Sequence, residues 1–204
     1  MSMYDLTQKQ RKDRPLAALN AAILEKVAQM PSSSAAFLTA NGRGSRRSLV
    51  RDVCRLMTVL VNDMCMRSRK VGVATQHGFL LRSWEHIGEQ AGMPLWRVKQ
   101  CADYAKSRGW ITSQQPREKY TGKDNREAFR GLVSIKRITE KYFKDMALFE
   151  QYEAAKKAAA EWLKMYARRL GRPIKYIQTP ITLLRRRRKE AQQAKQAHPD
   201  AIPL

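Results

Sequence analysis

The chain has 204 residues and carries 40 Lys plus Arg against 18 Asp plus Glu, a formal charge of +22 at neutral pH. A polyanion relieves self-repulsion of that size, and the same field draws phosphate in from a distance. With 43% hydrophobic residues the sequence has the material for a core, which excludes a wholly disordered chain, and the length suits one domain with extensions or two small ones.

From Pro15 to Met30 the residues Leu16, Leu19, Ile23 and Val27 recur at spacings of three and four, the period of one helical face. The stretch PSSSAAFLTANGRGSRRS follows, with clustered Ser, Gly and Asn and no periodicity, so residues 1–45 are expected to be an N-terminal helix and a flexible linker outside the core. Ser45 to Arg69 carries Leu49, Val53, Leu56, Leu60 and Met64 at helical spacing and predicts a core helix. Val71 to Leu81, richer in Val, Thr and Phe and punctuated by Gly72 and Gly78, predicts a small strand or extended connection.

Ser83 is placed to cap a short helix containing Trp84, Ile87 and Ala91, which Gly92 closes. Met93 and Pro94 make a tight turn into a second helix that runs to Arg108 and stops at Gly109. Two helices across so short a turn must cross steeply, as in a helix-turn-helix. In the second helix Val98, Cys101, Ala102 and Ala105 share one face and leave Trp96, Arg97, Lys99, Gln100 and Asp103 on others. Trp110–Gln114 and Phe129–Ile138 are β-prone, and the polar, basic PREKYTGKDNREA between them is expected to be a wing.

Past Thr139 the chain returns to helix through EKYFKDMALFEQ and YEAAKKAAAEWLKMYARRLG, ended by Gly171 and Pro173. Arg185 to Arg188 open a basic run, and the last twenty residues are expected to fray. The expected architecture is α+β, mainly helical with a small β-hairpin. Residues 46–145 form a winged helix-turn-helix core, and 146–204 a basic helical extension and tail.

A helix-turn-helix sets the start of its second helix in the major groove. Pro94, Trp96, Arg97, Lys99 and Gln100 would then face DNA, where Arg and Lys donate to guanine and Gln pairs with adenine. Arg117, Lys119, Lys123, Arg126 and Arg130 lie on or beside the wing, where cations follow phosphates. The plainer alternatives are a surface helix pair and a solvated hairpin tip. Trp96 would meet a base step, a thymine methyl or a partner chain, or else pack on the wing or the N-terminal arm.

Enzymatic alternatives lack their residues. The Gly-Lys pair at Gly122 has no upstream glycine of a phosphate-binding loop, His77, His86 and His198 are isolated, and the cysteines lack zinc spacing. No catalytic residue, cofactor or metal is expected. Cys54, Cys65 and Cys101 are odd in number and far apart, as core thiols of a reducing compartment would be. The N-terminus MSMYDLTQKQRKDRP carries no apolar secretory stretch, and no run approaches the roughly 18 apolar residues of a membrane span. The expected location is cytoplasmic, associated with nucleoid or plasmid.

KSRGWITSQQ, a basic hairpin and GLVSIKRITEKYFKDMAL together resemble the winged-helix core of plasmid replication initiators of the RepA type. Gly109, Trp110, Ile111, Ile135, Ile138, Thr139, Tyr142 and Phe143 carry the likeness, which covers roughly residues 80 to 150. It implies binding to plasmid origin DNA and recruitment of a host helicase or its loader. Many such initiators have two tandem winged helices, whereas this chain has room for one. A winged-helix transcriptional repressor, its terminal helices serving a homodimer, is the second reading. A general RNA-binding protein fits the charge but leaves the helix pair unused.

Overall fold

The computed structural model describes residues 14–31, 34–39, 41–121 and 126–197. Among them are seven α-helices and three two-stranded antiparallel sheets, an α+β arrangement. Helix α1 spans Pro15–Gln29 and α2 spans Arg47–Asn62. A hairpin of β1 (Gly72–Thr75) and β2 (Gly78–Leu81) precedes α3 (Trp84–Ala91) and α4 (Leu95–Ser107).

Helix α2 is the centre of the core. Val50, Val53, Leu56, Met57 and Leu60 are fully buried, each contributing about 1.5–3 kcal/mol relative to exposure. The helix was expected to reach Arg69 but ends at Asn62. The chain then turns back on itself, with the Arg69 N–H on the Cys65 carbonyl at 2.8 Å and Arg69 left-handed at φ 56°. That reversal sends Val71 to the sheet, a tertiary demand that helical periodicity does not contain.

The N-terminal helix, expected outside the core, shares it. Leu16, Leu24 and Val27 of α1, together with Phe37 of the following segment, join the same buried cluster as α2, α3 and α4. The Tyr142 hydroxyl donates to Asn20 Oδ1 at 2.6 Å, and Arg108 Nη1 donates to the Leu38 carbonyl at 3.0 Å. Phe37 lies edge-on to Trp110, so part of the expected linker is core.

After α4 the chain forms one long two-storey hairpin. Its base pairs β3 (Ile111–Gln114) with β6 (Ile135–Ile138), and its outer arm pairs β4 (Arg117–Thr121) with β5 (Glu127–Gly131). Much of the stretch expected to be an irregular loop is therefore paired strand. The Leu132 N–H donates to the Pro116 carbonyl at 2.8 Å where the two storeys meet. Residues 69–71 add an edge to β6 through Val71 N–H to Lys136 O and Ile138 N–H to Arg69 O, both at 3.0 Å.

Helix α5 (Glu140–Asp145) and the 21-residue α6 (Phe149–Arg169) follow. Tyr142, Phe143 and Tyr152 anchor them to the core, and the rest of α6 is largely exposed. Helix α7 spans Ile181–Ala197, although the chain from Arg185 onward was expected to fray. It is held because Ile177 N–H reaches the Thr75 carbonyl and Phe79 N–H reaches the Thr179 carbonyl, both at 2.9 Å. Cys54 and Cys101 are buried free thiols, pushed up to about 12 and about 11 by desolvation.

Candidate nucleic-acid interface

The helix pair is built by local chemistry. The Ser83 hydroxyl accepts from the His86 N–H at 3.1 Å and caps α3. Gly92 ends it at φ 62°, a left-handed turn that glycine enters without Cβ strain, and the Met93 N–H reaches back to the Gly88 carbonyl at 2.9 Å. Pro94 is exposed at the N-cap of α4, its carbonyl accepting from Arg97 and Val98 at 2.9 and 3.1 Å. Val98, Cys101, Ala102 and Ala105 bury the inner face of α4, as the periodicity predicts.

On the outer face Lys99 and Gln100 are exposed, and Trp96 is 67% exposed. Arg97 departs from expectation. Its Nε donates to Asp52 Oδ2 of α2 at 2.7 Å, its Nη1 to Gln100 Oε1 at 2.6 Å, and its side chain is only 17% exposed. It ties α4 to α2 instead of standing free, because a cation beside a half-buried carboxylate on a packed neighbour is worth more there than in water.

The residues expected on or beside a wing form a second group. Arg117 opens β4 and Arg126 precedes β5, both exposed. Lys119 pairs with Glu127, and Arg130 with Glu118 at 2.6 Å, so two of the four described wing cations already have carboxylates. Lys123 lies outside the described residues. Lys119–Glu127 is exposed on both sides, and such a pair is worth about 0–1 kcal/mol, whereas Glu118 of the other pair is only 15% exposed.

Three features escaped sequence reading. Tyr120 and Phe129 are exposed on the outer arm, Phe129 opposite Lys119 in register, where the alternating REKYT and EAFRG would have signalled two-sided strands. Lys136 of β6 is buried, its Nζ donating to the Arg82 carbonyl at 2.6 Å and standing 4.5 Å from the Trp84 ring centroid. Burial pushes its ammonium down to about 8, with Glu85 opposing. It borders a cleft of about 460 Å³ where Ser83, Trp84 and Glu85 face Gln115 and Leu132 of the wing. The third is Arg186, whose Nη1 donates to the Arg117 carbonyl at 3.0 Å and brings α7 against the wing.

Two wider observations bear on partners. Beyond its anchored first turns, α6 exposes Trp162, Met165 and Tyr166, and its C-cap Leu170 is exposed too, with Trp162 and Tyr166 stacked at 5.0 Å. No helix among the described residues is long and apolar enough to cross a membrane, and no three His, Cys, Asp or Glu side chains among them are grouped to hold a metal. No family model, curated protein or solved structure matches the chain.

Proposed function

We propose that the chain is a winged helix-turn-helix protein that binds double-stranded DNA sequence-specifically, and that it serves as a plasmid replication initiator without catalysing a reaction itself. The observation that carries this reading is the order and pairing of elements around one core. Helix α2, the edge segment at residues 69–71, the inserted β1–β2 hairpin, the pair α3 and α4, and a basic hairpin follow one another, and the edge segment pairs with the returning strand β6. That is the succession a winged helix requires. The excess of 40 Lys plus Arg over 18 Asp plus Glu supplies the affinity for phosphate.

Within this reading Trp96, Lys99 and Gln100 meet base edges, and the wing cations hold phosphates. Arg97 holds the reading helix at its angle to α2. The uncovered apolar face of α6, flanked by Lys164, Arg168 and Arg169, supports recruitment of a replication protein whose matching surface is rimmed with carboxylates. The same face favours a second reading, a transcriptional repressor in which α6 joins two copies.

Footprinting on DNA flanking the native gene tests the first step, with protected repeats expected. Absence of protection on any flanking duplex, at 50 as at 200 mM salt, overturns it. Autonomous replication of a plasmid carrying the gene and the protected repeats separates initiator from repressor.

A further inference from the structure

We infer that the arginine-rich helix α7 is a second phosphate-gripping arm, which holds the backbone of the same duplex beside the wing and lengthens the footprint on that side. The inference rests on the duplex-binding reading and adds to it a surface outside the helix pair and hairpin.

The helix is docked at its start. A Cβ on Gly78, itself at φ 137°, would stand 2.6 Å from Ile181 Cγ1 and 2.9 Å from Leu184 Cδ1, so both side chains close on the β1–β2 turn. Lys70 Nζ donates to the Gln178 carbonyl at 2.5 Å just before the helix. Further along, Arg186 reaches the backbone of Arg117, the first residue of the outer wing. The Arg185–Arg188 run thus stands beside β4, held at both ends of its first turns.

Its charges are uncompensated. Arg186 pairs with Glu190 at 2.7 Å, while Arg185, Arg187, Arg188 and Lys189 have no carboxylate partner among the described residues. Arg185, Arg188 and Lys189 sit at i, i+3 and i+4, so like charges share a face and repel. A helix that collects such repulsion against a basic wing gains most from a neutralising polyanion. The cleft of about 520 Å³ between α7 and the wing contains three carboxylates, and each already has a cation: Glu118 has Arg130, Glu127 has Lys119 and Glu190 has Arg186. What remains outward is positive, and its rigid placement spares the ordering entropy a loose tail would lose on binding.

The test uses the full chain and a long random-sequence duplex, with affinity measured against salt. Replacing Arg185, Arg188 and Lys189 together by Gln should lower affinity and reduce the slope of log affinity against log salt by about three units. The charge-keeping variant Arg185→Lys with Arg188→Lys should bind within about twofold of wild type. If the Gln variant keeps its helix content by circular dichroism and its slope is unchanged, α7 is only a brace and the inference falls while duplex binding stands. Equal loss in the Lys variant overturns it too, since the effect would then be structural. Failure of the wild type to bind the duplex removes the underlying reading instead.

Discussion

Arg97 of α4 and Asp52 of α2 form a bidentate ion pair, with Nε and Nη2 at 2.7 and 2.6 Å from the same Oδ2 and both side chains less than a fifth exposed. Removing either partner leaves Arg97 with only Gln100, or Asp52 with only Arg55 at 3.8 Å, a loss of about 1–3 kcal/mol. Arg97→Ala and Asp52→Ala should each destabilise in urea by that amount, and the double variant by clearly less than their sum. Strict additivity would show that the pair does not hold α4 in place.

Trp96 offers the complementary case, because two thirds of its surface is exposed. Trp96→Ala should change stability by no more than about 0.5 kcal/mol. It should lower affinity for the protected duplex about tenfold, or 1.4 kcal/mol. Unchanged binding at unchanged stability would remove Trp96 from the interface.

On the outer β4–β5 arm Glu127 and Glu118 hold Lys119 and Arg130, so under the proposed DNA-binding reading these carboxylates would compete with phosphate. Glu127→Gln should tighten duplex binding by about 0.2–1 kcal/mol, the worth of an exposed pair that no longer has to be broken, and Glu118→Gln, whose side chain is only 15% exposed, should tighten it as well. Titration of labelled duplex at two salt concentrations measures this. Weaker binding by both would mean that the carboxylates position the cations.

Trp110 joins α4, α5 and the segment at Phe37, with its indole N–H on Asp145 Oδ2 at 2.8 Å and its ring edge-on to Phe37, Tyr104 and Tyr142. Although burial pushes the other way, hydrogen bonds from Lys141 and Trp110 hold the Asp145 carboxyl below its ordinary range. Trp110→Phe should cost about 1–2 kcal/mol by losing the donor, and Trp110→Ala about 3–5 kcal/mol by opening the core. Equal losses in urea unfolding would assign the stabilisation to the hydrogen bond alone.

Lys136 predicts a pH dependence. Its ammonium, buried in the folded chain, ionises near 8 against 10.5 for the free side chain, so between those values the unfolded state binds the extra proton. Stability from this group therefore rises as pH climbs from 8 towards 10.5, and its burial is costly below 8. The stability of Lys136→Met minus that of wild type should fall over this range. A difference independent of pH would show that Lys136 titrates as if exposed.

Much of the local structure was legible in the sequence because it is set by neighbours along the chain. Ser83, Gly92, Pro94 and Gly109 mark the ends of α3 and α4 through caps and left-handed turns, and the inner face of α4 follows from its period. The charge and the β-prone segments on either side of the wing are likewise one-dimensional properties. Only tertiary packing decided the rest. Whether Arg97 is free or bound depends on Asp52, 45 positions away, and whether Phe37 belongs to a linker or the core depends on Trp110. Residues 185–197 continue a helix that is docked at its first turn because Ile181 and Leu184 find the space above Gly78. Burial and partner geometry are sums over distant contacts, and a linear pattern carries no record of which residues the fold brings together.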